Sequence, residues 1–253
     1  MIGLLGRSVF GTLPTYLAVC AVLLGAQLIY VLIGFGAGMI AVGALAMLLP
    51  SLQDSVVVLM LVNMPVELFV ALSARQHVDR RTLISVGSGL LVGAPLGSLG
   101  LRFADPRLAL FGLGLFLLLV AATFLLLPAK QLRWPFWAGL PVGLLAGAFG
   151  SMFSAAGPTL VLYFRLAGAS KDTFRGSLMA LFFVNSCLRL ISYAAVGLFD
   201  PRRLLSALLL VPVILLGAWL GNAIQMRLSQ STFERLVLAA LVCIGGLLLG
   251  RAL

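Results

Sequence analysis

Charge is what this chain most lacks: no Asp, Glu, Lys or Arg occurs at residues 8–53, and none at 134–164. Only 9% of its 253 residues are charged, against roughly a quarter in a soluble domain, which excludes a water-soluble globular fold. Histidine occurs once, at His77, beside Arg75 and Asp79. A single, solvated loop histidine excludes the H-E-x-x-H pattern of metalloproteases. Cys20, Cys187 and Cys243 stand alone in apolar segments with no C-x-x-C spacing. They read as small core hydrophobes, not as metal ligands or a disulfide framework. The glycine-rich runs lack a Walker lysine and a strand context, and no Ser/His or paired-carboxylate constellation appears at apolar depth. Neither an enzyme nor a cofactor is expected.

What the chain has in abundance is hydrocarbon: 62% of residues are hydrophobic and the mean hydropathy is +1.18. One crossing of a ~30 Å bilayer core takes about 20 residues, so the charge-free stretch 8–53 holds two passes and a break. The formal net charge of +10 comes from Arg residues in short polar stretches, such as Arg80 with Arg81, Arg102 with Arg107, and Arg202 with Arg203. That is the pattern of topology-setting and headgroup contact, so the expected partner is a lipid bilayer and not nucleic acid. The apolar run after Arg7 passes signal-peptide length without a cleavage site and reads as a retained first helix.

Charges, prolines and glycines divide the chain into apolar segments at 13–33, 36–50, 54–74, 82–101 and 107–127, then 135–151, 155–168, 174–197, 203–226 and 232–251. The fold class is therefore all-α: a polytopic integral membrane protein with about eight full-length helices and two short or re-entrant segments, 36–50 and 155–168. The whole chain, 1–253, forms one transmembrane domain of two homologous repeats, 13–127 and 135–251, joined by 128–134.

The repeats are visible in residues spaced alike. Asn63 and Glu67 recur as Asn185 and Arg189, each 122 residues later. Arg80-Arg81 recurs as Arg202-Arg203, and Gly93-x-x-x-Gly97 as Gly217-x-x-x-Gly221, the latter suited to close helix packing. Two glycine-rich runs, Gly34-Phe35-Gly36-Ala37-Gly38 and Gly147-Ala148-Phe149-Gly150, precede the short segments and are expected to break the helix. Paired breaks in corresponding places are the best sequence pointer to a transport site. If the short segments span, the repeats are inverted; if they re-enter, the repeats are parallel.

Three stretches carry a resemblance to a known family. They are the early glycine-rich break with the short piece ending at Pro50, the run 78–110 from Val78-Asp79-Arg80-Arg81, and 147–178 with Ala156-Gly157-Pro158-Thr159 and Lys171-Asp172-Thr173-Phe174-Arg175. These are similar to the sulfite exporter TauE/SafE family, over nearly the whole chain. Many members have a Gly-Gly-Pro-Pro-like run where this chain has Ala156-Gly157-Pro158-Thr159. The resemblance implies a bacterial inner-membrane carrier of small anions, sulfur oxyanions or organosulfonates such as sulfite and sulfoacetate.

The candidate substrate-binding residues follow from depth and chemistry. Arg189 lies mid-segment, where an unpaired cation costs several kcal/mol, and its planar fork suits the oxygens of a sulfonate or carboxylate. It serves either as an anion anchor or as a structural partner of Glu67. Glu67 is either that partner or a protonatable group coupling transport to protons. Asn63 and Asn185 offer amide donors to an anion or to neighbouring helices. Ser151, Ser154, Gly157 and Thr159, with Gly36 and Gly38 in the first half, would place hydroxyls and helix N-termini around an anion, or merely allow close packing. Asp172 is expected to cap the helix that follows it, and Lys171 and Arg175 either to anchor it at the interface or to draw anions to a vestibule. The function expected is a secondary transporter of a small anion working by alternating access, with an anion channel or a non-transporting assembly protein as the alternatives.

Overall fold

The computed structural model describes residues 2–33, 37–73, 75–126, 135–167, 169–224 and 230–252. Every regular element among them is helical. In chain order these are α1 (Ile2–Leu5), α2 (Leu13–Ile33), α3 (Ala37–Leu48), α4 (Leu52–Ser73), α5 (Arg80–Phe103) and α6 (Pro106–Leu126). There follow α7 (Gly139–Phe153), α8 (Gly157–Ala167), α9 (Lys171–Ala195), α10 (Pro201–Ile224) and α11 (Gln230–Ala252), with 3-10 turns at Arg75–His77 and Phe136–Ala138. The expected segments match these helices closely, apart from the short α1, which was not anticipated.

The helix starts are set by side-chain caps. Ser51, Asp79, Asp105, Ser170 and Asp200 each accept a backbone N–H from the first turn of the following helix. Ser170, not Asp172, caps α9, because the helix begins earlier than expected and Asp172 already lies inside it. Asp79, Asp105 and Asp200 add a negative charge at the positive end of the helix they cap, and basic residues follow each of them.

Among the described residues, four stretches are long and apolar enough to cross a membrane: Leu52–Phe69, Arg80–Phe103, Phe136–Phe153 and Gly176–Ala195. The short helices α3 and α8 have 12 and 11 residues. At about 1.5 Å per residue they reach little more than half of a ~30 Å core. Large apolar side chains such as Phe69, Phe103, Trp137 and Trp219 are about 70% exposed, a surface that water would not tolerate and acyl chains would cover.

The chain forms two compact units: Met1–Val62, Ala104–Leu127 and Phe199–Leu253 in the first, Asn63–Phe103 and Pro128–Leu198 in the second. In the first unit, α10 packs on α2, α11 on α6, and α3 against α2 and α11. Arg203 Nε donates to Asp54 Oδ1 at 2.7 Å, tying the start of α10 to the start of α4 in a partly buried ion pair. Gly217 permits the α10–α2 contact, since a Cβ there would lie 2.8 Å from Gln27 Cβ. Gly114 and Gly245 do the same for α6 and α11.

In the second unit, α5 packs along α7 and on α9, and α8 packs on α7 and α9. The α5–α7 contact is backbone against backbone. Gly89, Gly93 and Gly97 on α5 face the main chain of Leu140, Leu144 and Ala148, and Gly143 and Gly147 on α7 face Val86, Gly93 and Ala94. Both helices thus present a glycine every fourth residue, which lets their backbones meet without side chains between them.

This overturns one expectation. Gly147-Ala148-Phe149-Gly150 does not break the helix: α7 continues to Phe153, and Gly147 is used for packing, with Ala94 N only 2.7 Å from where its Cβ would be. Glycine here serves close approach, not unwinding. The first-half run lies partly outside the described residues, at 34–36, between the end of α2 and the start of α3.

Candidate functional site

The break in the second half is made by three residues, Ser154, Ala155 and Ala156, between α7 and α8. Ser154 takes a left-handed backbone at φ 52, ψ 33, rare for a residue with a Cβ, and the N–H groups of Ser154 and Ala155 both turn back to Phe149 O. Helix α8 then opens with Gly157-Pro158, the fixed φ of proline suiting a first turn where its missing N–H costs nothing. The first α8 ladder bond runs from Leu160 N to Ala156 O, so the N–H groups of Gly157 and Thr159 precede the ladder and lie at the positive end of the helix.

The side chain that meets this break comes from α9. Arg189 is 5% exposed; its Nη2 donates to Ser154 Oγ at 2.8 Å and its Nε to Tyr193 OH at 3.1 Å. Its guanidinium carbon lies 5.4 Å from the Tyr193 ring centroid, within cation–π range. Tyr193, fully buried, donates its own O–H to Ser151 O at 2.5 Å. That carbonyl is one of the last four of α7, which have no partner in the helix, so the tyrosine hydroxyl closes a helix end and orients the arginine together.

Two further polar groups border the same break. Asn185 precedes Arg189 by one turn of α9 and is 3% exposed. A Cβ at Gly150 would lie 2.7 Å from Asn185 Nδ2 and 3.0 Å from Ala156 Cβ, so the amide sits against the end of α7 at the entry to α8. Ser151 is fully buried. Neither Asn185 Oδ1 nor Ser151 Oγ has a hydrogen-bond partner within the protein. Such groups are rare in a folded interior, because each costs about 1–3 kcal/mol.

Glu67, half-buried on α4, accepts from Ser186 Oγ at 2.5 Å. Ser186 precedes Arg189 by three residues, so the carboxylate and the guanidinium meet neighbouring positions of one α9 face. Asn63 is half-buried one turn before Glu67.

The structure thus gathers Arg189, Asn185, Ser151, Ser154 and the opening of α8, with Gly157 buried and Thr159 half-buried. Glu67 joins them through Ser186. Gly38 is the second residue of α3 in the first unit, and Gly36 lies outside the described residues. The side chains of Lys171, Asp172 and Arg175 also lie outside them. Tyr193 and Ser186 were missed in the sequence. Extending the Asn185–Arg189 spacing by one more turn reaches Tyr193, which was the available signal. No group of His, Cys, Asp or Glu able to hold a metal occurs among the described residues.

Apolar helices of membrane length, and a cation buried where one helix stops and another starts, define a multi-pass membrane protein with a polar centre. The comparisons carry this further. The family model described as sulfite exporter TauE/SafE matches residues 18–248, and the chain belongs to that family. It is 28% identical over 225 residues to the "Probable sulfite/organosulfonate exporter TauE" of Cupriavidus necator, covering 85% of this chain and 86% of the relative. No solved structure matches.

Proposed function

We propose that this protein exports sulfite or a small organosulfonate across a bacterial inner membrane by alternating access. The observation that carries the reading is Arg189, buried and held by Ser154 and Tyr193 at the α7–α8 break. A guanidinium held at such a break can present two N–H donors side by side, which matches a face of two anion oxygens. The N–H groups opening α8 and the Ser154 and Thr159 hydroxyls would share the remaining oxygens. Asn185 and Asn63 would contribute amide contacts, and Gly36 and Gly38 would serve the corresponding break in the first half.

The internal repeat supports a carrier. In each compact unit, the fourth segment of one half packs on the first of the other: α5 on α7 in the second unit, α10 on α2 in the first. Glu67, joined to α9 through Ser186, acts chiefly as a structural partner of the arginine-bearing helix.

Purified protein in liposomes should take up radiolabelled sulfite saturably, with thiosulfate, sulfoacetate, taurine and a carboxylate as comparators. Non-saturating flux would favour a channel instead. Absence of flux from folded protein would leave only a membrane scaffold.

A further inference from the structure

The site contains more acceptor capacity than an all-acceptor anion can use. Asn185 Oδ1 and Ser151 Oγ are buried, without partners within the protein, and carried by the two helices that enclose the break. A hydroxyl can turn to donate, but an amide cannot: whichever way Asn185 is oriented, it presents one acceptor oxygen and one donor nitrogen. Fully deprotonated sulfite, sulfate or a plain alkanesulfonate brings oxygens alone and would leave the amide oxygen orphaned.

Charge restricts the ligand in the same direction. Arg189 meets the break, and the α4 carboxylate Glu67 reaches the same α9 face through Ser186, three residues before it. Among the described residues, a dianion would meet the Arg189 cation with a carboxylate close behind it, whereas a monoanion is matched by the guanidinium.

We infer, building on the anion site proposed above, that the preferred ligand is a singly charged sulfur oxyanion carrying its own O–H or N–H donor, which Asn185 and Ser151 receive. Hydrogen sulfite and hydroxy- or amino-substituted sulfonates belong to this class; sulfite dianion and unsubstituted alkanesulfonates do not. Sites built to hydrogen-bond a ligand hydroxyl reject the analogue lacking it, because the protein's polar group is then left unpaired.

The test compares 2-hydroxyethanesulfonate with propane-1-sulfonate, which are alike in charge and length and differ by a hydroxyl in place of a methyl group. Both are offered as labelled substrates to the full chain in liposomes. Wild type should carry the hydroxy compound with a kcat/KM about tenfold higher or more. In Asn185→Leu that ratio should fall towards one, and Ser151→Ala, the milder change, should lower it part-way. Equal handling by wild type, recognition of neither compound, or a ratio that survives in both variants would overturn the inference. Arg189→Ala separates it from the underlying reading. If that variant still carries sulfite, the anion site itself is wrong; if sulfite transport depends on Arg189 while the donor gives no advantage, only the present inference fails.

Discussion

Removing the Tyr193 hydroxyl is the most searching test of how the arginine is held. Tyr193→Phe keeps the ring, its packing and its face beneath the guanidinium, so no cavity forms and the cation–π contact persists. Two hydrogen bonds disappear together: the one accepted from Arg189 Nε at 3.1 Å and the one donated to Ser151 O at 2.5 Å. A hydrogen bond to a charged group contributes about 1.5–3 kcal/mol, and an orphaned buried carbonyl costs about 1–3 kcal/mol. One hydroxyl serves both, so the terms overlap and a combined loss of roughly 2–4 kcal/mol is expected. At about 2–4 °C per kcal/mol for a chain of this size, the melting temperature in detergent should drop by roughly 5–15 °C. Sulfite transport should weaken as well, mainly in KM, because the fork is no longer held towards Ser154. A melting temperature within about 2 °C of wild type, together with an unchanged KM, would refute the reasoning.

Four other outcomes follow from the packing and the polar contacts. Gly143→Ala drives a Cβ into Val86 O, backbone against backbone, and should cost about 3 kcal/mol or more in thermal stability. Gly87→Ala, with nothing within 4 Å, should be neutral or stabilising by up to about 1 kcal/mol. Ser154→Gly relieves about 1 kcal/mol of left-handed strain at φ 52 yet deletes a hydrogen bond to the buried Arg189 guanidinium worth about 1.5–3 kcal/mol, so purified protein should lose about 0.5–2 kcal/mol of stability and sulfite flux should fall. Asp54→Ala should destabilise by about 1–3 kcal/mol, since it leaves Arg203 partly buried; Asp54→Ala with Arg203→Ala should recover part of that loss in a thermal-melt double-mutant cycle.

The helices were legible because membrane helices are written in long apolar runs punctuated by charge. The expected 82–101 and 203–226 became Arg80–Phe103 and Pro201–Ile224, each beginning two residues earlier, where a capping Asp and its following arginines sit. Glycine misled at 147–150, because the residue that unwinds a helix is also the one that lets two helices touch; only the position of α5 decides which. The actual break falls on Ser154, a residue whose left-handed backbone no pattern announces. Arg189 stood out as a charge at depth, whereas Tyr193 and Ser186 did not: ordinary polar residues on an apolar helix carry no signal until their partners are placed.

The most direct test of the central claim is sulfite flux through Arg189→Ala and Arg189→Lys in liposomes, normalised to folded protein. Arg189→Ala should abolish saturable transport. Arg189→Lys keeps the charge without the fork and should lose roughly 10- to 150-fold in kcat/KM, the equivalent of one charge-assisted hydrogen bond. Wild-type flux in either folded variant would contradict the account.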